Sequence, residues 1–258
     1  MDSLYNSWFN ACNRIVENRE TSWKRDTDVY YMLEHVPGEY ANVYLDLLLK
    51  NGMSIETIQI YTDIVDTIGN ANRHPFIRNN KTLLSSTTCL RYLYHAFDIL
   101  ENLQECFNRN IVPTIVEVGG GYGGLAVAIN YVLQLKNIPH VLNYIIVDLT
   151  NVQKLQAYYT SNFQLNKINL SFVDSENYGK NINSSDIFII SNYCLAEMGE
   201  SNRQEYIDGL FTNTSIVGGY LQWNSGASVD FLNRFKTQIK DEYPMTGPEN
   251  KTITFYNL

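Results

Sequence analysis

Apolar residues along the chain change their spacing near Asn110. Up to that point they recur at three- and four-residue steps with no convincing alternating strand, whereas after Pro113 strand-like and helix-like segments alternate. The early pattern predicts helices over Leu4 to Val16, over Tyr40 to Leu49 with a stop at Asn51-Gly52, and over Ile55 to Ile68, capped by Ser54 and ended by Gly69-Asn70. The clearest helix runs from about Ser86 to Phe107, where Leu90, Leu93, Tyr94, Phe97, Leu100 and Leu103 form one stripe. The later pattern predicts strands at Ile115-Val118, Tyr144-Val147, Leu170-Val173, Ile187-Ile190, Gly219-Trp223 and Thr252-Tyr256. Helices are predicted at about Gly123-Leu135, Asn151-Asn162, Asn202-Phe211 and Val229-Ile239. Thr150 with Gln153, and Ser201 with Gln204, fit the capping box. Alternation of this kind predicts a mostly parallel sheet with helices on both faces, preceded by a helical region: residues 1–110, then 111–258. No Ser/Gly/Pro-rich tether separates the two, so the first is expected to pack on the second as a lid or flank.

Composition narrows the classes. A chain of 258 residues, 45% hydrophobic and 18% charged, can bury a sizeable core. A net charge of -8 and no dense basic cluster argue against nucleic acid as a partner. No apolar stretch approaches the roughly 20 residues that span a bilayer, and the polar start lacks a signal-peptide layout, so a cytoplasmic protein without a membrane partner is expected. Cys12, Cys89, Cys106 and Cys194 are scattered without a C-x-x-C pair, which indicates neither a disulfide framework nor a zinc site.

The chemistry centres on Val116-Glu117-Val118-Gly119-Gly120-Gly121-Tyr122-Gly123-Gly124, a strand that ends in a carboxylate and breaks into glycines before a helix. In open α/β sheets ligands bind beyond the carboxyl ends of the strands, and those ends carry Glu117, Asp148, Asp174 and Asn192 with Tyr193. Gly119-x-Gly121-x-x-Gly124 also satisfies the dinucleotide fingerprint, with Asp148 as its ribose-binding acid, so a Rossmann-fold NAD(P)-dependent oxidoreductase is one reading. Glu117 points elsewhere: it would repel a pyrophosphate but suit a ligand with positive charge, such as the ammonium and sulfonium of S-adenosylmethionine. A dehydrogenase would also need a catalytic domain, whereas the chain ends about where a seven-stranded methyltransferase sheet would.

Glu117-x-Gly119-x-Gly121-x-Gly123 resembles motif I of class I S-adenosylmethionine-dependent methyltransferases. More narrowly, the glycine stretch through Leu125, Val147-Asp148-Leu149 with Gln156-Ala-Tyr158-Tyr159, and Ser191-Asn192-Tyr193-Cys-Leu-Ala-Glu197-Met198 resemble the sugar O-methyltransferase family of glycan-biosynthesis gene clusters. Ser86-Thr-Thr-Cys-Leu90-Arg91-Tyr92 is similar to a segment preceding motif I in that family, and the resemblance runs from about Asn70 onward. The sequence departs at Thr150, where a proline is common in the family.

The resemblance implies a Rossmann-like class I methyltransferase fold with a seven-stranded sheet. It also implies S-adenosylmethionine as cofactor and a sugar or nucleotide-sugar hydroxyl as acceptor. Asp148 would accept from the ribose hydroxyls, and Glu117 with Gly119, Gly120, Gly121 and Gly123 would hold the methionyl end. Asp174, with Ser175 beside it, would accept from the adenine amino group, Leu149 and Phe172 would border the ring, and Asn192 and Tyr193 would shape the methyl-donor pocket. Glu197 and His74 are the candidate general bases for the acceptor hydroxyl. Arg91, Tyr122 and Trp223 are candidate acceptor contacts, since 19 Tyr and 3 Trp suit stacking on sugar faces. No metal is expected, and the N-terminal helices offer a surface for a homo-oligomer. A methyltransferase-like fold kept as a non-catalytic binding subunit is the other alternative.

Overall fold

The computed structural model describes residues 3–213, 215–224 and 226–257. They fall into two compact units, one of residues up to 98 with 121–132 and 151–164, the other of 99–120, 133–150 and 165 onward.

The first unit opens with α1 (Ser3–Asn18), α2 (Gly38–Lys50) and α3 (Ile55–Val65). Ser54 caps α3 as the sequence predicts, its hydroxyl accepting from the Thr57 amide at 3.1 Å. The helix stops at Val65 rather than Ile68, and the chain leaves through Gly69 and Asn70 with φ of 83° and 53°. Although no alternating strand is expected before Asn110, the chain here holds a hairpin of β1 (His74–Arg78) and β2 (Lys81–Ser85), paired in register from His74↔Ser85 to Arg78↔Lys81. Asn79 and Asn80 turn it with φ of 51° and 60°, the left-handed pair that a two-residue hairpin loop demands and that Asn tolerates better than most residues. The hairpin leads into the long predicted helix, α4 (Thr87–Asn108).

The second unit holds the sheet: β3 (Thr114–Val118), β4 (Leu142–Asp148), β5 (Ile168–Asp174), β6 (Ile187–Asn192), β7 (Ile216–Trp223), β8 (Lys236–Asp241) and β9 (Lys251–Tyr256). Its order is β5-β4-β3-β6-β7-β9-β8; all neighbours from β5 to β7 are parallel, and β9 runs antiparallel to both β7 and β8. Helical crossovers α5 (Gly124–Leu135) and α6 (Thr150–Thr160) join β3 to β4 and β4 to β5; the short α7 (Cys194–Glu197) and α8 (Glu200–Tyr206) lie between β6 and β7. This is the seven-stranded, mostly parallel sheet that the sequence resemblance implies. Val116, Val118, Val147, Ile187, Ile189 and Leu221 give its core an aliphatic layer, with Phe255 packed in the same cluster.

Two expectations fail in this unit. The segment Val229 to Ile239 is not a helix: a single turn at Asp230–Leu232 is followed by β8. That strand is almost wholly exposed at the sheet edge and shows little alternation, so its pairing with β9 rather than its own pattern makes it a strand. Ser201 is not a cap either, because α8 starts at Glu200 with Gly199 in the capping position. Among the described residues no helix is long and apolar enough to cross a membrane.

The packing of β7 on β9 depends on Gly219, where an added Cβ would sit 2.3 Å from the Phe255 ring and 2.7 Å from the Ile189 carbonyl. Gly219→Ala should therefore destabilise the protein by about 1–3 kcal/mol through overpacking. Urea denaturation checks this, and an unchanged midpoint would contradict the close packing.

Candidate functional site

Strand order reverses at β3, which has β4 on one side and β6 on the other, so the crevice beyond its carboxyl end is where a ligand of such a sheet binds. Glu117 is the penultimate residue of β3 and pairs with Ile146 and Ile190. It is only 2% exposed, and one carboxylate oxygen accepts from the Tyr144 hydroxyl at 2.8 Å. Burial pushes its carboxyl up from the usual 4.5 to about 8; the Tyr144 hydrogen bond opposes this, and the negative charge of Asp148 adds to it.

The chain then turns through Gly119, with φ of 77°, and Gly120. Both need the absence of a side chain: a Cβ on Gly119 would lie 2.3 Å from Cys194 Sγ, and one on Gly120 would lie 2.7 Å from Ile146 Cγ2. The Gly120 amide donates to Asp148 Oδ2 at 3.0 Å, while Asp148 Oδ1 accepts from the Leu149 amide at 2.8 Å. Asp148 thus ties the end of β4 to the glycine turn. Asp174 stands opposite it in register on β5. Asp174 accepts from the Thr150 hydroxyl and, at 2.8 Å, from the Glu176 amide, capping the turn Ser175–Asn177. The Thr150 hydroxyl therefore reaches across to β5, and because α6 already begins at Thr150 this residue is the first of the helix rather than the cap that the capping box predicts.

At the end of β6, Ser191 donates to the Val118 carbonyl at 3.0 Å and accepts from the Leu195 amide at 3.2 Å, fastening the strand exit to β3. Asn192 Oδ1 is buried and has no hydrogen-bond partner. Tyr193 follows in the left-handed region with φ of 66°, an outlier for a bulky residue. Its hydroxyl is bonded to Glu242 and lies 3.1 Å from Thr246 Oγ1, so the ring is committed to the segment between β8 and β9. Three carboxylates and one orphaned amide oxygen make this sheet edge rich in acceptors.

Two candidate acceptor contacts take other positions. Trp223 is 3% exposed; its indole N–H donates to the Ala227 carbonyl at 2.9 Å and its ring packs near Phe231, which makes it core. Tyr122, in the first unit, is 1% exposed among Trp23, Tyr92 and Tyr159, with its hydroxyl on Glu34 at 3.0 Å. It packs rather than presenting its ring at a rim. Beside it Gly121 and Gly123 have φ of 54° and 91°, and Gln156 donates to the Gly121 carbonyl at 3.0 Å. Arg91 lies 3.4 Å from the Leu33 carbonyl, and His74 is exposed on β1. Glu197 is exposed at the end of α7. Within the second unit the structure brings together Glu117, Gly119, Gly120, Asp148, Leu149, Asp174, Ser175 and Asn192.

Sequence reasoning missed Glu242, the buried carboxylate behind Tyr193, because no motif marks a lone acid 49 residues from its partner. It also missed Lys24, buried in the first unit with its ammonium on the Val65 carbonyl at 2.9 Å and 4.9 Å from the ring centres of both Tyr122 and Tyr159. Loss of hydration pushes the Glu34 carboxyl up despite the Lys24 charge and the Tyr122 hydrogen bond. Among the described residues no group of three or more His, Cys, Asp or Glu is arranged to hold a metal ion.

No family model matches the chain, and no curated protein does, so the likeness to sugar O-methyltransferases rests on the motifs alone. Among solved structures the fold resembles the methyltransferase domain of bacterial CtHen1, at 10% identity and a TM-score of 0.44, over 63% of this chain and 97% of that one. It also resembles S-adenosylmethionine-bound CalS10, an amino pentose methyltransferase from Micromonospora echinaspora, at 7% identity and a TM-score of 0.43, over 64% and 92%. TrmK of M. capricolum, in complex with S-adenosylhomocysteine, matches at 12% identity and a TM-score of 0.38, over 56% and 62%. None of these likenesses assigns a substrate.

A carboxyl held neutral in the fold and ionised in the unfolded chain lends stability below its ordinary pKa and loses it as pH rises through the folded value. Between about pH 5 and pH 8 the protein should lose stability relative to Glu117→Gln, by up to about 1.4 kcal/mol per pH unit. Urea denaturation of both proteins across that window reads the difference; parallel curves would show that Glu117 ionises normally.

Proposed function

We propose that the chain is an S-adenosylmethionine-dependent methyltransferase that acts on a sugar hydroxyl, nucleotide-linked or glycan-borne. The observation that carries the reading is the acceptor-rich edge: Glu117, Asp148, Asp174 and the unpartnered Asn192 Oδ1 stand at the carboxyl ends of four adjacent strands. The carboxylates of Asp148 and Asp174 at adjacent strand ends would repel the pyrophosphate of a dinucleotide. They suit a ligand whose polar groups are donors or cations: an α-ammonium, two ribose hydroxyls, an adenine amine and a sulfonium. The orphaned Asn192 oxygen also favours a ligand, because burying an acceptor without a partner is costly until a donor arrives.

In this reading Asp148 accepts from the ribose hydroxyls, Asp174 with Ser175 and Leu149 borders the adenine, and Asn192 with Glu117 faces the methionyl end. Gly119 to Gly123 allow the backbone to approach. When bound, S-adenosylmethionine supplies an activated methyl group. The chain's task is then to hold an acceptor hydroxyl in line with that group and to remove its proton. His74 and Glu197, both exposed, are the proposed bases, and Arg91 is the proposed contact for an acidic or phosphorylated acceptor. The choice of a sugar rests on the resemblance of the Ser191 to Met198 segment.

Calorimetry with S-adenosylhomocysteine tests the cofactor. Binding should weaken at least about tenfold in Asp148→Ala, and NAD should not compete. Absence of binding, or binding indifferent to Asp148, would overturn the assignment. Because a ligand ammonium favours ionised Glu117, binding near pH 7 should release protons, read as a dependence of the calorimetric enthalpy on the ionisation enthalpy of the buffer. With an acceptor found in a nucleotide-sugar panel, Glu197→Gln or His74→Ala should lower kcat about a hundredfold. Full activity in both would eliminate these bases, and binding without transfer to any acceptor would favour a non-catalytic binding subunit.

A further inference from the structure

Glu242 is nearly fully buried, and its carboxylate gathers donors from two separate segments of the chain. Its carboxylate receives the Tyr193 hydroxyl, the Thr246 amide at 2.8 Å, the Thr246 hydroxyl at 2.8 Å and the Asn250 side-chain amide at 3.1 Å. The segment carrying Thr246 and Asn250 joins β8 to β9, whose closing pair is Asp241↔Lys251; Lys251 also pairs with Trp223 at the carboxyl end of β7. It therefore leaves the sheet at the same end as Asn192, which pairs with Gln222.

Tyr193 is the residue in need of such an anchor. Side chains with a Cβ disfavour the left-handed region, and a bulky aromatic stays there only when its surroundings over-determine it. Its amide donates to the Gln222 carbonyl at 3.0 Å, and its hydroxyl is bonded to Glu242 and lies 3.1 Å from Thr246 Oγ1. The kink has consequences on both sides. Before it, Asn192 is left with a buried, unpartnered Oδ1; after it, Cys194 is set against Gly119 so closely that a Cβ there would overlap its Sγ.

We propose that Glu242 is a positioning residue: by holding the Tyr193 hydroxyl it keeps Tyr193 in its left-handed conformation, which sets Asn192 Oδ1 and the Cys194–Gly119 contact of the ligand edge. Tyr193 then matters through its backbone, and its ring is a tether.

The test rests on the cofactor reading for one readout and is free of it for the other. Glycine adopts the left-handed conformation without penalty, so it should need no tether, whereas phenylalanine keeps the penalty and loses the tether. S-adenosylhomocysteine affinity should fall about tenfold in Glu242→Gln and in Tyr193→Phe. Tyr193→Gly, the larger truncation, should bind more tightly than Tyr193→Phe and be little affected by adding Glu242→Gln. Iodoacetamide labelling of Cys194, read by mass spectrometry without any ligand, should be faster in Glu242→Gln and Tyr193→Phe than in wild type and slow again in Tyr193→Gly. Tyr193→Gly equal to or worse than Tyr193→Phe in labelling would overturn the proposal, as would labelling unchanged in Glu242→Gln. If wild type binds no S-adenosylhomocysteine the cofactor reading falls, and the labelling order still decides the role of Glu242.

Discussion

The constraint on which the sheet edge depends is the missing side chain at two successive positions. Gly119 lets Cys194 close against the end of β3, and Gly120 lets the backbone pass Ile146 and present its amide to Asp148. Any Cβ at either point would push β3 away from β6 or β4 at the place where strand order reverses. The turn thereby stands between the strand ends that carry Asp148 and Asn192. Glu117, one residue before β3 ends, is sealed from water and kept neutral by burial.

The site therefore holds electrostatic potential in reserve. A neutral Glu117 costs the ligand-free protein less than a buried charge would, and a cationic ligand can draw out the charge when it binds. Asp148 accepts from the Gly120 and Leu149 amides, which fixes its orientation. Asn192 is the complementary case, an acceptor without a donor. A rigid acceptor without a donor, as at Asn192, suits a preorganised site for a donor-rich ligand.

Much of this was legible in the sequence because it is local. The glycine run, the strand that precedes it and the acids after β4 and β5 each lie within a few residues of the feature that reveals them. What escaped depends on pairing over distance. The strand β8 is polar and exposed, so Lys236 to Asp241 carries no alternation to read, and only β9 makes it a strand. The β1–β2 hairpin buries Phe76 and Leu83 against a mostly exposed background, and its one clear signal is the Asn79-Asn80 turn. Tyr122 and Trp223 have the amphipathic character of surface aromatics, but the Glu34 carboxylate and the Ala227 carbonyl satisfy their polar atoms inside the protein. Glu242 was invisible because its meaning lies in Tyr193, and nothing in the sequence announces that Tyr193 takes a glycine-like conformation.

The central claim is that the β3–β6 edge cradles the amino-acid and ribose ends of a methyl donor. A structure of the protein with S-adenosylhomocysteine tests it most directly. The account predicts ribose hydroxyls on Asp148 and the ligand ammonium within hydrogen-bond distance of Asn192 Oδ1, with the glycine turn against the methionyl chain. A ligand bound elsewhere, or one that leaves Asn192 Oδ1 without a donor, would contradict it.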